Sequence, residues 1–233
     1  MSKKTRSSRR AKRQQRKTNW PVIGGVIAIG IIILGVLLFL ALQTPESRTL
    51  ADYCQENPDN CVAKGSSDAS VTIIEVSDYG CSHCRDFNLE TAGLIEDLYV
   101  VPGEVLWVVV PFALSAGTLP AASAAMCAAD QDRFFEFHRR LFELQGDPSA
   151  MTSAGLLQAA GELGLDTESF SACLESGEHD AAIQANIREA NSLGVNSTPT
   201  FFVNGEKLEG NRPLTVFQQR ISDTIGSADA GAG

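Results

Sequence analysis

The order of strand and helix signals predicts an α/β fold with an inserted helical domain, preceded by one N-terminal transmembrane helix. Three observations carry this expectation. Two nearly continuous apolar runs, residues 71–76 and 104–110, flank a helical stretch; residues 119–191 hold no strand signal; and Asn204-Gly205 joins two short strand-like runs near the end. The resulting order is β-α-β, helical insert, β-β-α.

Residues 1–19 form a basic arm with Lys3, Lys4, Arg6, Arg9, Arg10, Lys12, Arg13, Arg16 and Lys17 and no acidic residue, and residues 20–43 carry no charge. Residues 22–42 are almost uniformly apolar. At roughly 1.5 Å per residue they make a helix of about 31 Å, close to the thickness of a bilayer's hydrocarbon core. The expectation is a single-pass signal-anchor at 20–43 in the cell membrane. The basic arm stays cytoplasmic, Trp20 sits at the interface, and everything after residue 43 is extracytoplasmic. A cleaved signal peptide is the rival reading. It is disfavoured because the run exceeds a typical h-region and Leu40-Ala41-Leu42-Gln43 is a poor small-x-small cleavage site. Membrane topology and anionic lipid explain the basic arm more simply than nucleic acid does.

The whole chain carries a net charge of −9; beyond the arm, 10 basic residues stand against 28 acidic ones, or −18. An outer domain this acidic gives solubility and disfavours nucleic acid, while naming no substrate.

Residues 44–67 read as a tether with Cys54 and Cys61, and the folded body spans 68–226. The run Val71-Thr-Ile-Ile-Glu-Val76 is too short for a stable helix and rich in β-branched residues, so it reads as a buried strand. Residues 81–100 predict a helix, and Glu104-Val-Leu-Trp-Val-Val-Val110 a central parallel strand covered on both faces. The crossover joining the two strands is right-handed. Ala-rich and amphipathic stretches at 121–130, 132–144, 153–163 and 167–175 place helices in an insert over about 113–191, with Gly164-Leu165-Asp166 as a stop and restart. Strands at 200–203 and 207–209 meet at Asn204-Gly205, the strongest two-residue hairpin signal, and residues 214–225 close the fold as a helix. The Gly-rich end, 227–233, is expected to be disordered.

Cys81-Ser82-His83-Cys84 opens the predicted 81–100 helix. Two cysteines at this spacing can close a disulfide, and the backbone N–H groups and dipole of a helix start favour a thiolate on the first sulfur. Cys81, at the exposed entrance, is the nucleophile; Cys84, further in, is the resolving thiol. Exchange passes through a mixed disulfide with substrate, which the second thiol releases. His83 lies between the sulfurs in sequence, where it stabilises the Cys81 thiolate and so makes the pair an oxidant. The competing readings are a purely structural bridge and half of a zinc site. Zinc takes four ligands, and the only candidate second pair is Cys54 and Cys61. No metal and no cofactor is assigned, since a haem attachment would need His where Arg85 follows Cys84.

Three segments carry a family resemblance: Glu75-Val-Ser-Asp78-Tyr-Gly-Cys81-Ser-His-Cys84, Phe134-Phe-Glu-Phe-His138, and Gly194-Val-Asn-Ser-Thr198-Pro199-Thr200-Phe-Phe-Val-Asn-Gly205. Through them residues 68–226 resemble the DsbA-like thiol:disulfide oxidoreductases of the thioredoxin superfamily, in their membrane-anchored bacterial form. The resemblance implies a thioredoxin fold, a cis Pro199 facing the active disulfide, and Thr198 pairing its backbone with an extended substrate strand beside Cys81. It also implies that Glu75 is a buried carboxylate beneath Cys84 that accepts or relays its proton. Ser82 departs from the proline common at its position, which leaves the redox poise open. His138 is expected to pack on an insert helix rather than catalyse, and His179 to be a solvated loop residue.

Cys54, Cys61, Cys127 and Cys173 also lie beyond the apolar run, and an even cysteine count there fits disulfides in an oxidising compartment. Cys127 and Cys173 fall on predicted insert helices. A bridge between them resembles one in some DsbA-like proteins; closing about 47 residues, it is worth about 4 kcal/mol on the chain-entropy model. Two buried free thiols are the alternative. Cys54 and Cys61 flank a turn-like segment, and a local bridge closing about eight residues contributes about 2 to 3 kcal/mol. A redox relay is the alternative there.

The expected function is an extracytoplasmic oxidase that introduces disulfides into reduced secreted or surface proteins. Its expected reoxidant is a quinone-linked membrane partner of the DsbB or vitamin-K-epoxide-reductase (VKOR) type. A reductase or isomerase of the same fold and a metal carrier using the Cys81/Cys84 pair are the alternatives.

Overall fold

β-Branched and aromatic runs build a single five-stranded sheet in a computed structural model of the chain, which describes residue 25, residues 29–34 and residues 48–231. Residues 25 and 29–34 are helical. Among the described residues no helix is long and apolar enough to cross a membrane. The basic arm at 1–19 and most of the expected span at 20–43 lie outside those residues.

From residue 48 the order is α1 (Leu50–Glu56), β1 (Val62–Lys64), β2 (Val71–Ser77), α2 (Ser82–Glu90), α3 (Ala92–Ile95) and β3 (Val105–Pro111). The insert follows as α4 (Leu119–Ala129), α5 (Phe134–Glu143), α6 (Ser153–Glu162), α7 (Thr167–Ser176) and α8 (Asp180–Ser192). The chain returns as β4 (Thr200–Val203), β5 (Glu206–Glu209) and α9 (Leu214–Gly231). Strand order is β1-β3-β2-β4-β5. β2 and β3 run parallel, from Val71 opposite Val105 to Ser77 opposite Pro111. The outer pairs β1–β3, β2–β4 and β4–β5 are antiparallel.

Because side chains alternate along a strand, the two sheet faces are read directly from the numbering. Val71, Ile73, Val105, Trp107, Val109, Phe201 and Val203 join one buried cluster with Phe87 of α2 and Phe217 of α9. Ile74, Val76, Val108, Val110 and Phe202 join the other, against Leu50 and Tyr53 of α1 and Ala190 of α8. Glu75 falls on the Phe87 face by the same alternation. Helices therefore cover both faces, which is why β2 and β3 read as continuous apolar runs.

Phe87 anchors α2 to the sheet. It is fully buried, with ring centroids of Phe201 at 4.4 Å, Phe217 at 5.5 Å and Trp107 at 6.0 Å. Phe87→Ala is expected to lower unfolding stability by about 3–5 kcal/mol, read from urea denaturation midpoints at unchanged slope. A loss under about 1 kcal/mol would contradict this packing.

Four expectations are corrected. The tether assigned to 44–67 contains folded structure: α1 is capped by Thr49, whose side chain accepts from Asp52 N–H while the Asp52 carboxylate accepts from Thr49 N–H. β1 then adds an edge strand to the sheet. The single helix expected over 81–100 breaks after Glu90 and ends in a wide i→i−5 turn over Glu96–Val100, where Val101 N–H donates to Glu96 O. Thr91 and Gly93, both weak helix formers, mark the break. α8 was not separated from the rest of the insert in sequence. The closing helix runs to Gly231 rather than ending at residue 225, into the segment expected to be disordered; no proline interrupts it, and Ala228 and Ala230 favour helix.

The hairpin is as expected. Asn204 (φ 45°) and Gly205 (φ 85°) both take positive φ, as its two-residue turn requires. Asn204 also ties the turn to β2, its Oδ1 accepting from Thr72 N–H at 2.6 Å and its Nδ2 donating to Ser70 O at 3.1 Å.

Candidate functional site

β2 ends at Ser77, and the next four residues aim the chain into α2. Asp78 directs this loop: its carboxylate accepts from Gly80 N–H (2.7 Å), Leu114 N–H (2.7 Å) and the Thr118 hydroxyl (2.6 Å). Gly80 is needed for close approach, since a Cβ there would lie 2.8 Å from Thr118 Cγ2. Gln145, just past α5, clamps the loop from the insert, its Nε2 donating to Tyr79 O (2.7 Å) and Cys81 O (3.1 Å).

Cys81 takes the N-cap position of α2, and its Sγ faces the carbonyl oxygen of Thr198 at 3.2 Å. The Thr198–Pro199 peptide bond is cis. Cys81 is partly exposed and Cys84 fully buried; both are free thiols in this structure. Burial pushes the Cys84 thiol well above its ordinary pKa, and negative charge on Cys81 adds to the rise. The Thr198 hydroxyl and a backbone hydrogen bond at Asp78 act in the opposite sense. The Thr198 Oγ1 is itself buried without a hydrogen-bond partner, close enough to the Cys84 sulfur to favour its thiolate. The two cysteines are thus chemically unequal. In the reduced native protein, iodoacetamide at neutral pH is expected to modify Cys81 and spare Cys84 until denaturant is added. Peptide mass mapping reads the result, and equal labelling of both would contradict the asymmetry.

Glu75 is completely buried on β2 and fully partnered. It accepts hydrogen bonds from the Ser77 hydroxyl, from Asn88 Nδ2 at 2.8 Å and from Trp107 Nε1 at 3.1 Å, with His138 Nε2 3.8 Å away. Burial alone would raise its pKa. Its attraction to His138 and the hydrogen bonds from Ser77 and Asn88 outweigh burial and hold it below the ordinary carboxylate value. No hydrogen bond joins Glu75 to the Cys84 sulfur. The link runs through Asn88, one helical turn beyond Cys84, whose Nδ2 donates both to Glu75 and to Cys84 O at 3.1 Å.

His138 packs on insert helix α5 as expected, against Phe134 and Phe142, and also joins this network. Its Nδ1 lies 2.7 Å from Tyr79 Oη and its Nε2 3.0 Å from Asn88 Oδ1. A proton on Nε2 lets His138 donate to Asn88 Oδ1, and Asn88 Nδ2 in turn donates to Glu75, so the ring is wired to the carboxylate through one amide. Tyr79 stays protonated because burial, then the negative charges of Glu75, Asp78 and Cys84, raise its pKa far above the usual phenol value. A cleft of about 210 Å³ reaches this network, lined by Glu75, Asn88, Trp107 and His138 and edged by Lys64 and Glu136.

His83 is exposed, and no hydrogen bond joins it to either sulfur. Cys54 is bonded to Cys61, and Cys127 to Cys173. Cys54 and Cys61 are therefore not a second ligand pair for a metal at Cys81 and Cys84. Sequence reasoning missed Tyr79, Asp78, Asn88 and Gln145 as site residues. Asn88 had a usable signal in its i+4 spacing from Cys84; Gln145 had none.

A partly exposed thiol at a helix start, backed by a buried second thiol and a buried carboxylate network, is suited to forming and releasing mixed disulfides. The thioredoxin family model matches residues 57–223. Among curated proteins, the chain is 32% identical over 179 residues to a protein of Salinispora arenicola named Na(+)/H(+) antiporter NhaA 1, covering 75% of this chain and 26% of that protein. The chain thus spans about a quarter of the length of that relative. A Rickettsia conorii protein provisionally named a protein-disulfide oxidoreductase is 28% identical over 199 residues, covering 78% of this chain and 71% of its own. The solved structure of Wolbachia pipientis alpha-DsbA1 shares the fold, with a TM-score of 0.67 at 24% identity over 75% of this chain and 95% of that one. The cis-proline loop beside a Cys-x-x-Cys helix start and the match over 57–223 lead to one statement: the chain belongs to the thioredoxin family.

Proposed function

We propose that the protein is a membrane-tethered, extracytoplasmic thiol:disulfide oxidoreductase that donates its Cys81–Cys84 disulfide to reduced secreted or surface proteins. The observation that carries this reading is the placement of the Cys81 sulfur at the exposed start of α2, 3.2 Å from Thr198 O, with Cys84 buried behind it. A substrate thiolate attacks the Cys81 sulfur of the oxidised pair. The Cys81–Cys84 bond breaks, a Cys81–substrate disulfide forms, and Cys84 leaves with the electron pair and takes up a proton. A second substrate thiolate then attacks the substrate's own sulfur and expels Cys81.

Thr198 and Pro199 border the place where an extended substrate segment lies. Glu75, through Asn88 and the Tyr79–His138 arm, serves the proton exchange at Cys84. The cleft edged by Lys64 and Glu136 gives this network a route to solvent away from the bound substrate.

Donation rather than withdrawal of a disulfide is favoured by the α2 N-terminus at Cys81, where the helix dipole stabilises negative charge. The outward location is supported by the basic arm, the apolar run at 20–43 and two further disulfides in the outer domain. A quinone-linked membrane oxidase would restore the pair. Equilibration with glutathione tests the direction: the potential is expected nearer the roughly −120 mV of DsbA than the about −270 mV of thioredoxin. A value near thioredoxin's would make the protein a reductase or isomerase instead.

A further inference from the structure

The bridge joining Cys127 to Cys173 has two further metal-ligating side chains against it. His179 Nε2 lies 2.7 Å from Asp130 Oδ2, and Cys173 Sγ lies 3.6 Å from the same oxygen. Two sulfurs, one carboxylate oxygen and one imidazole nitrogen all fall within 4.8 Å of one another. His179 was expected in a solvated loop. It instead precedes α8, and its side chain is 14% exposed. Two helix ends converge on the cluster: Asp130 is the C-cap of α4, and Cys173 sits in the last turn of α7, which Gly177 (φ 66°) terminates. Helix C-termini carry partial negative charge and favour a cation beside them.

We propose that, once the Cys127–Cys173 disulfide is reduced, Cys127, Cys173, His179 and Asp130 form a four-coordinate site for zinc or a zinc-like divalent cation. Two thiolates, an imidazole and a carboxylate are a zinc donor set. Bond lengths of about 2.3 Å to sulfur and about 2.0–2.2 Å to nitrogen and oxygen put tetrahedral ligands roughly 3.3–3.8 Å apart, inside the observed spread. A dithiol reductant supplies two electrons and two protons to the bridge, ending as a disulfide itself. Metal binding then displaces the two thiol protons into solvent and leaves both sulfurs as thiolates on the ion. The ion replaces the covalent link between α4 and α7, so the insert is held together in chains whose bridge is open.

The test uses the full-length chain with Cys81→Ser and Cys84→Ser, which removes the Cys81/Cys84 thiols as competing ligands. It is reduced with a phosphine and titrated with Co²⁺ alone. The expected result is one Co²⁺ per chain with the visible bands of a tetrahedral ion and sulfur-to-metal charge transfer, displaced by Zn²⁺. His179→Ala and Asp130→Ala, each added to that background, are expected to weaken binding at least about tenfold. Far-UV circular dichroism of every oxidised variant establishes that the helices persist. The proposal is overturned by absence of the tetrahedral spectrum, or by an affinity the His179 and Asp130 variants leave unchanged. A reduced chain that loses its helical signal and does not regain it with Co²⁺ overturns it as well.

Discussion

Cys81→Ser is expected to leave a folded protein that no longer catalyses disulfide formation in a reduced test protein, the rate falling to that of the uncatalysed reaction. Serine nearly matches the thiol in size, and Cys81 is only partly buried, so stability changes little. The chemistry is lost because a hydroxyl forms no disulfide and the exposed sulfur is the one a substrate reaches. The effect is total, since burial keeps Cys84 from replacing it. Residual catalysis comparable to wild type would move the reacting sulfur elsewhere.

Glu75→Ala is expected to be the most damaging change that touches neither sulfur. It leaves the Ser77 hydroxyl and Trp107 Nε1 buried without an acceptor, at about 1–3 kcal/mol each before relaxation, and takes from Asn88 Nδ2 one of its two acceptors, so a net loss of about 3 kcal/mol at neutral pH follows. Glu75→Gln keeps the shape but sets an amide N–H₂ among donors, so it recovers part of the stability only. The pH dependence separates charge from shape. Glu75 titrates lower in the folded chain than its ordinary value. Its contribution is therefore fully present above the unfolded carboxylate pKa, about 4.3, and is lost as pH falls through the lower folded value. Urea denaturation across the acid range is expected to show wild type converging on Glu75→Gln as pH falls. A constant gap between them would mean that the ionised carboxylate contributes nothing.

The centre of the sheet was legible because β2 and β3 are covered on both faces, which favours apolar residues throughout and leaves a single charged residue across the two strands. That exception, Glu75, stood out because an unpaired carboxylate in such a strand is untenable. Its partners were not legible. Tyr79 and His138 meet across 59 residues, and a histidine on an amphipathic helix looks the same whether it packs or is wired. α1 escaped notice because seven residues carry too little periodicity. Its stability is tertiary, with Leu50 and Tyr53 in the core and Tyr53 Oη donating to Asn186 at 2.7 Å. His83 illustrates the opposite failure. Its position between the cysteines suggested contact with a thiolate, but the first turn of α2 directs it to solvent.

Substrate sulfur bonds to Cys81 and not to Cys84, and Cys84 reclaims Cys81 from that mixed disulfide when the step runs backwards. The most direct measurement is a trapping experiment with Cys84→Ser, which removes the resolving thiol while leaving Cys81 and the Thr198–Pro199 loop intact. Incubated with a mixed-disulfide donor peptide, the variant is expected to accumulate a stable covalent adduct that peptide mass mapping places on Cys81, whereas wild type releases it. No adduct, or one on Cys54, Cys61, Cys127 or Cys173, would contradict the account.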